Sequence, residues 1–254
     1  MAGHSEWQNR KYRKRRQDRK RAKIFGKLSK KIISAARQGG GDPEKNSDLR
    51  NVIERAKDYN MPKENIERAI LKGTGDLPGV DYEDHVYEGY GPGGVAVMVE
   101  CTTDNKNRTI AELRRIFDNH GGNIGERGCV SYQFKRHGFI SGFLGEFDES
   151  SLFETAVEAG AEDVQFDADR FEVLTRPEDF VFTKQSLTEA GYTLDRTEIT
   201  QLPKTSVPVD EEAFEGVISL LETLDDHDDV QEVYSNFAVR DEVLESSPSL
   251  EATP

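Results

Sequence analysis

Arg10, Lys11, Arg13, Lys14, Arg15, Arg16, Arg19, Lys20, Arg21 and Lys23 crowd one short stretch near the start of the chain. Cations at this density attract polyanions. Each phosphate that a Lys or Arg neutralises releases condensed counterions, and this release drives binding to nucleic acid whatever its sequence. Arginine predominates, and its planar fork matches phosphate oxygens and the guanine edge two hydrogen bonds at a time. Trp7 and Tyr12 lie beside and among these charges, with rings suited to stacking on unpaired bases. The competing reading is a solvated arm, or one that lies on the protein's own acidic surface.

A second group that could meet a ligand is Asp104-Asn105-Lys106-Asn107-Arg108. It joins the end of an apolar strand to the start of a helix, where binding groups often sit, although turn and cap chemistry explains such a loop equally well. Other chemistry finds little support. Gly91-Pro92-Gly93-Gly94 precedes a strand and Gly121-Gly122-Asn123-Ile124-Gly125 follows a helix, so both read as tight turns rather than phosphate loops. His4, His85, His120, His137 and His227 lack ligand spacing. The run Asp225-Asp226-His227-Asp228-Asp229 reads as a solvated helix-end loop rather than a cation site. Cys101 and Cys129 suggest neither a disulfide framework nor zinc, and no Gly-x-Ser-x-Gly elbow is present. The expectation is a protein without enzymatic activity, cofactor or metal.

The charge is segregated along the chain. Fourteen of the first 37 residues are Lys or Arg against two acids, so this segment carries plus 12. The whole chain is at minus 14, which leaves minus 26 on the remainder. A phosphate polymer is drawn to one end and repelled by the rest. The acidic part is therefore expected to meet something other than bare nucleic acid, such as other proteins.

The elements that must position these residues follow from periodicity. Residues 8 to 23 offer no apolar face and read as an arm. From Ile24 a stripe of Phe25, Leu28, Ile32 and Ala36 predicts a core-facing helix ended by Gly39-Gly40-Gly41. A second helix carries Leu49, Val52, Ile53 and Ala56; a third begins with Pro62 at its first position and stops at Gly73. Val95 to Cys101 then predicts a strand, Thr109 with Glu112 a capping box opening a helix, and Val130 to Phe134 a further strand. Between 138 and 200 the order strand, helix, strand, strand, helix, strand is that of a ferredoxin-like unit, and both of its helices end in Glu-Ala-Gly. A helix around Phe214 to Leu224 and a strand from Gln231 to Val239 complete the pattern.

The fold expected is α+β. A basic arm and three-helix domain (1–77) precede a discontinuous α/β domain (78–135 with 205–239), into which a ferredoxin-like α/β domain (136–204) is inserted. A disordered acidic tail (240–254) closes the chain. No window approaches the ~18 apolar residues of a membrane span, and the cysteine usage suits a reducing cytoplasm. The Arg-rich start suggests a transit peptide, but it runs directly into a structural helix with no cleavage region between them.

With these residues laid out, the chain closely resembles the YebC/PmpR family of bacterial gene-expression regulators, which also includes a mitochondrial translational activator. The matching stretches are Met1-Ala2-Gly3-His4-Ser5 with Trp7, Lys23-Ile24-Phe25, Asn60-Met61-Pro62, Asn65-Ile66-Glu67-Arg68-Ala69-Ile70 and Tyr87 to Gly94. Further on they are Asp104 to Thr109, Gly121-Gly122-Asn123, Ala159-Gly160-Ala161-Glu162-Asp163, and Asp228-Asp229-Val230-Gln231 with Val233-Tyr234 and Asn236. Glu6 stands where the family usually has Lys, and Tyr12 where it usually has His. The resemblance implies a cytoplasmic three-domain protein. It further implies DNA-binding regulation of transcription, or alternatively translational activation through ribosomal RNA; a protein–protein adaptor is a third reading.

Overall fold

The computed structural model describes residues 21–239, so the arm before Arg21 and the tail from 240 lie outside the described residues. Two compact units are present, one of Gln133–Lys204 and the other of the residues on either side of it. No helix among the described residues is long and apolar enough to cross a membrane.

The first unit opens with three helices: α1 (Arg21–Gly39), α2 (Ser47–Asp58) and α3 (Lys63–Thr74). Their apolar stripes close on a shared core of Leu28, Ile32, Ala36, Leu49, Ile53, Ala56, Met61, Ile66 and Ala69. Each fully buried Leu or Ile contributes ~1.5–3 kcal/mol. Asn46 locks the α1–α2 corner. Its amide donates to the carbonyls of Ala35 and Gly40 at 2.9 and 2.8 Å, while its Oδ1 accepts from Leu49 N at 3.0 Å, capping α2. Two boundaries of α3 differ from expectation. Pro62 is the extended N-cap residue rather than the first helical one, and the helix runs past Gly73 to Thr74, with Gly75 taking the left-handed conformation. Gly73 is needed for another reason: a Cβ there would stand 2.5 Å from the carbonyl oxygen of Ile33, so its bare backbone lets α1 and α3 cross closely.

The same unit continues with β1 (Glu83–Tyr90), β2 (Ala96–Thr103), α4 (Lys106–Asn119) and β3 (Asn123–Ile124). After the second unit it resumes with β8 (Val207–Val209), α7 (Glu211–Asp225), β9 (Val230–Ser235) and β10 (Phe237–Val239). Strand order in the main sheet is β3-β1-β2-β9, all antiparallel, while β8 and β10 form a separate parallel pair. Val95, Val97, Val99, Leu113, Phe117, Val217, Leu220, Leu224 and Val233 share the core.

Several sequence expectations are corrected here. No strand spans Val130 to Phe134. The Glu88 carboxylate takes the N–H groups of Gly128, Val130 and Ser131 at 2.7–2.8 Å, so a side chain replaces the ladder they would otherwise join. The helix α4 is capped by Asn105, not Thr109, which is buried within it. The expected strand Gln231–Val239 breaks at Asn236, whose Oδ1 accepts from Ala96 N at 2.8 Å. The chain then moves from the main sheet to the pair with β8. β1, β3 and β8 are strands that the sequence pattern does not predict; Asn123–Ile124, read as part of a tight turn, pairs with Gly89 and Tyr90 of β1.

The second unit holds β4 (Phe134–Phe143), α5 (Glu149–Glu158), β5 (Ala161–Asp167), β6 (Arg170–Thr175), α6 (Phe180–Glu189) and β7 (Thr193–Pro203). Its sheet order, β5-β6-β4-β7 with every neighbour antiparallel, is the ferredoxin-like topology. The two Glu-Ala-Gly endings share one role. Gly160 and Gly191 both take positive φ, 99° and 95°, directly after α5 and α6, which is the usual left-handed exit from a helix.

Candidate nucleic-acid interface

Trp7, Arg10, Lys11, Tyr12, Arg13, Lys14, Arg15, Arg16, Arg19 and Lys20 lie outside the described residues, and Arg21 begins α1. From Lys23 onward the cations of α1 can be followed, and they turn toward the protein's own carboxylates. Lys23 donates to the main-chain carbonyl of Asp226 and lies 3.5 Å from the Asp228 carboxylate. Lys27 donates to the Asp225 carbonyl at 2.7 Å, and Lys30 to the Asp228 carbonyl at 3.0 Å and Asp229 Oδ1 at 2.8 Å. Positions 23, 27 and 30 lie on one side of α1 because they step by four and three residues. The carbonyls that Lys23 and Lys27 reach belong to the C-terminal end of α7, where the helix dipole favours cations.

Lys31 extends the contact to the sheet, donating to Asp84 Oδ1 at 2.9 Å. Ser34 and Thr102 donate to the same carboxylate at 2.9 and 2.6 Å. Arg55 of α2 pairs with Glu232 of β9. Burial opposes the charge on Asp84, but Lys31 and the two hydroxyls outweigh it and hold the carboxyl below its ordinary range. Lys27 moves in the opposite sense: its own burial lowers the ammonium pKa despite the nearby Asp225 and Glu232.

Asp229 is the centre of the arrangement. It is only 3% exposed. Its Oδ2 accepts from Arg108 and Thr109, both at 2.9 Å, and from Thr103 at 3.2 Å, while its Oδ1 takes Lys30. Burial works against its ionisation, yet Lys30, Arg108 and Thr109 together keep the carboxyl far below the usual carboxylate range. The acidic run is therefore no solvated loop at this position. His227, in the same run, lies 2.8 Å from Glu112 of α4.

The loop from Asp104 to Arg108 belongs to the same network. Asn105 Oδ1 accepts from Arg108 N at 3.1 Å, and the Arg108 guanidinium reaches Asp104 at 2.8 Å as well as Asp229. Lys106 and Asn107 are exposed. The structure thus brings Lys23, Asp104, Asn105 and Arg108 around the 225–229 turn and its neighbours. Sequence reasoning singled out the cations and missed their receivers, Asp84 and Asp229. The only local signal was the acidic run itself.

Other chemistry is sparse in this part of the molecule. Among the described residues no group of three or more His, Cys, Asp or Glu is placed to hold a metal. Burial pushes the Cys101 thiol up to about 12, so it stays protonated at neutral pH.

The model for the TACO1/YebC N-terminal domain matches residues 5–76, and that for the TACO1/YebC second and third domain matches residues 82–237. The chain belongs to the TACO1/YebC family. Among relatives, a probable transcriptional regulatory protein of Dictyoglomus turgidum is 56% identical, the match covering 97% of this chain and 99% of that protein. Another of the same description from Halothermothrix orenii is 53% identical over 96% of this chain and 98% of its own length. A crystal structure of a conserved hypothetical protein from Aquifex aeolicus superposes with a TM-score of 0.77. It is 49% identical and covers 89% of this chain and 94% of that one. The family resemblance and the α+β fold class expected from the sequence are thus found.

Proposed function

We propose that the protein is a non-enzymatic, cytoplasmic regulator of gene expression that grips nucleic acid through its basic N-terminal segment. The relatives' description as probable transcriptional regulatory proteins supports the regulatory part of this reading. The observation that carries the nucleic-acid part is how the positive charge is divided. Lys23, Lys27, Lys30 and Lys31 are matched by carboxylates and carbonyls of the same chain. Phosphate contact falls instead to Arg10, Lys11, Arg13, Lys14, Arg15, Arg16, Arg19, Lys20 and Arg21, which lie ahead of that contact in the sequence. Arg108 is held by Asp104 and Asp229, so the 104–108 loop serves the protein's own architecture before any ligand.

The test is fluorescence anisotropy on duplex DNA and on single-stranded RNA across a salt series. Each phosphate contact adds about 0.9 to the logarithmic salt slope on duplex and about 0.7 on single strands. Deleting residues 1–20 is expected to remove several units of slope and most of the affinity; an unchanged slope sinks the reading. Phosphate contacts alone do not choose between promoter DNA and ribosomal RNA. Trp7 and Tyr12 favour a second, translational reading, because rings stack on unpaired bases. Crosslinking in cells and sequencing of the bound strands decides: ribosomal RNA reads favour translation, promoter reads transcription.

A further inference from the structure

The second unit presents a surface of different chemistry. Phe153 and Val157, one turn apart on α5, are 49% and 48% exposed. Glu149, Ser150, Phe153 and Glu154 of α5 and Phe166 of β5 line a groove of about 380 Å³. Large side chains left half in water beside a groove mark a contact surface more often than a scattered exposed Leu does. Here the charge around them is one-sided: residues 144–169 contain nine Asp or Glu and no Lys or Arg. Glu162 is met by Lys135 and His137 from β4. Glu149, Glu154, Glu158, Asp163 and Asp167 are exposed.

We propose that this groove docks a lysine- or arginine-rich segment of another protein whose apolar side chains recur at helical spacing. Phe153, Val157 and Phe166 would receive its apolar face, and the surrounding carboxylates its cations, the helix-in-groove mode of recognition. Charge complementarity selects this occupant. Nucleic acid and anionic lipid carry the wrong sign. The same unit of a second copy carries the same sign, since residues 133–204 hold fifteen acids against seven Lys and Arg. Its approach along the edge strand β5 is further opposed by Glu162, Asp163 and Asp167 and by the register shift between Ala161 and Asp163. The proposal is independent of the nucleic-acid reading, because it concerns another unit and the opposite charge.

The experiment uses the full-length protein and a labelled synthetic peptide of leucines and lysines with an amphipathic helical pattern. A lysine–glycine peptide of equal charge is the control. Saturable binding is expected for the amphipathic peptide and at least ten-fold weaker binding for the control. The double substitution Phe153→Ser/Val157→Ser is expected to weaken binding at least ten-fold, and Glu149→Gln/Glu154→Gln at least three-fold, with circular dichroism and nucleic-acid affinity unchanged. Equal binding of the two peptides, or unaltered affinity in the first variant, overturns the proposal by leaving only bulk acidity. Deleting residues 1–20 covers the remaining occupant. If peptide affinity then rises ten-fold, the chain's own arm fills the groove and the partner reading is wrong; unchanged affinity supports it.

Discussion

At Asp229, Lys30, Arg108, Thr103 and Thr109 all donate to a single carboxylate, so removing its charge leaves two cations facing each other without their shared counter-charge. Asp229→Ala is expected to cost about 3 kcal/mol, read as a lower urea midpoint with an unchanged m-value. The acid limb should report the same group. Unfolded, the carboxyl takes up its proton near pH 4, whereas folded it resists to much lower pH. Its stabilising contribution is thus complete above about pH 4 and is lost as the pH falls toward the folded value. Between about pH 4 and pH 2, Asp229→Asn should lose stability less steeply than the parent protein. Glu88 makes a second residue-scale case, because Glu88→Ala strands the N–H groups of Gly128, Val130 and Ser131. Hydrogen exchange at those three amides should speed by at least ten-fold while α4 stays protected. Neither carboxylate's role was legible in the sequence, although both lie in stretches that carry the family resemblance. Their donors come from residues scattered along the chain, and an acid among many acids carries no local mark of burial.

Among the elements, α1 has two faces with different tasks. Leu28, Ile32 and Ala36 enter the three-helix core, and the lysine side meets α7, the 225–229 turn and β1. Replacing Lys23, Lys27, Lys30 and Lys31 together by Gln should lower the melting temperature, and do so less at high salt, where the parent's ion pairs are already screened. Nucleic-acid affinity should stay within about two-fold, whereas Arg13, Arg15, Arg16 and Arg19 changed to Gln should cost at least ten-fold. The apolar face of α1 was readable because its period is 3.6. The other face read only as positive charge, and nothing in its spacing told a docked lysine from a free one. The ferredoxin-like unit was legible almost throughout for the same reason: buried Ile140, Leu152, Phe171, Val173 and Leu187 sit in clear strand and helix patterns. β1 was missed because its core-side positions are His85, Tyr87 and Gly89 rather than aliphatic residues, while its single aliphatic, Val86, lies on the opposite, exposed face, so the alternation by which a strand is recognised is blurred.

Over the whole molecule, the second unit is spliced into the first in a way that bears on how the protein could be taken apart. Phe134 pairs with Pro203 across β4 and β7, and Lys204 N donates to Gln133 O at 2.8 Å. The chain therefore enters and leaves this unit at adjoining points. Replacing residues 133–204 by two or three glycines adds little loop-closure entropy, which grows only with the logarithm of length. The shortened protein should unfold cooperatively and bind nucleic acid with the parent's salt slope, and the leucine–lysine peptide should no longer bind it. In engineering terms, residues 133–204 form a cassette whose ends are already clipped together, so the position can be emptied or reloaded with another domain.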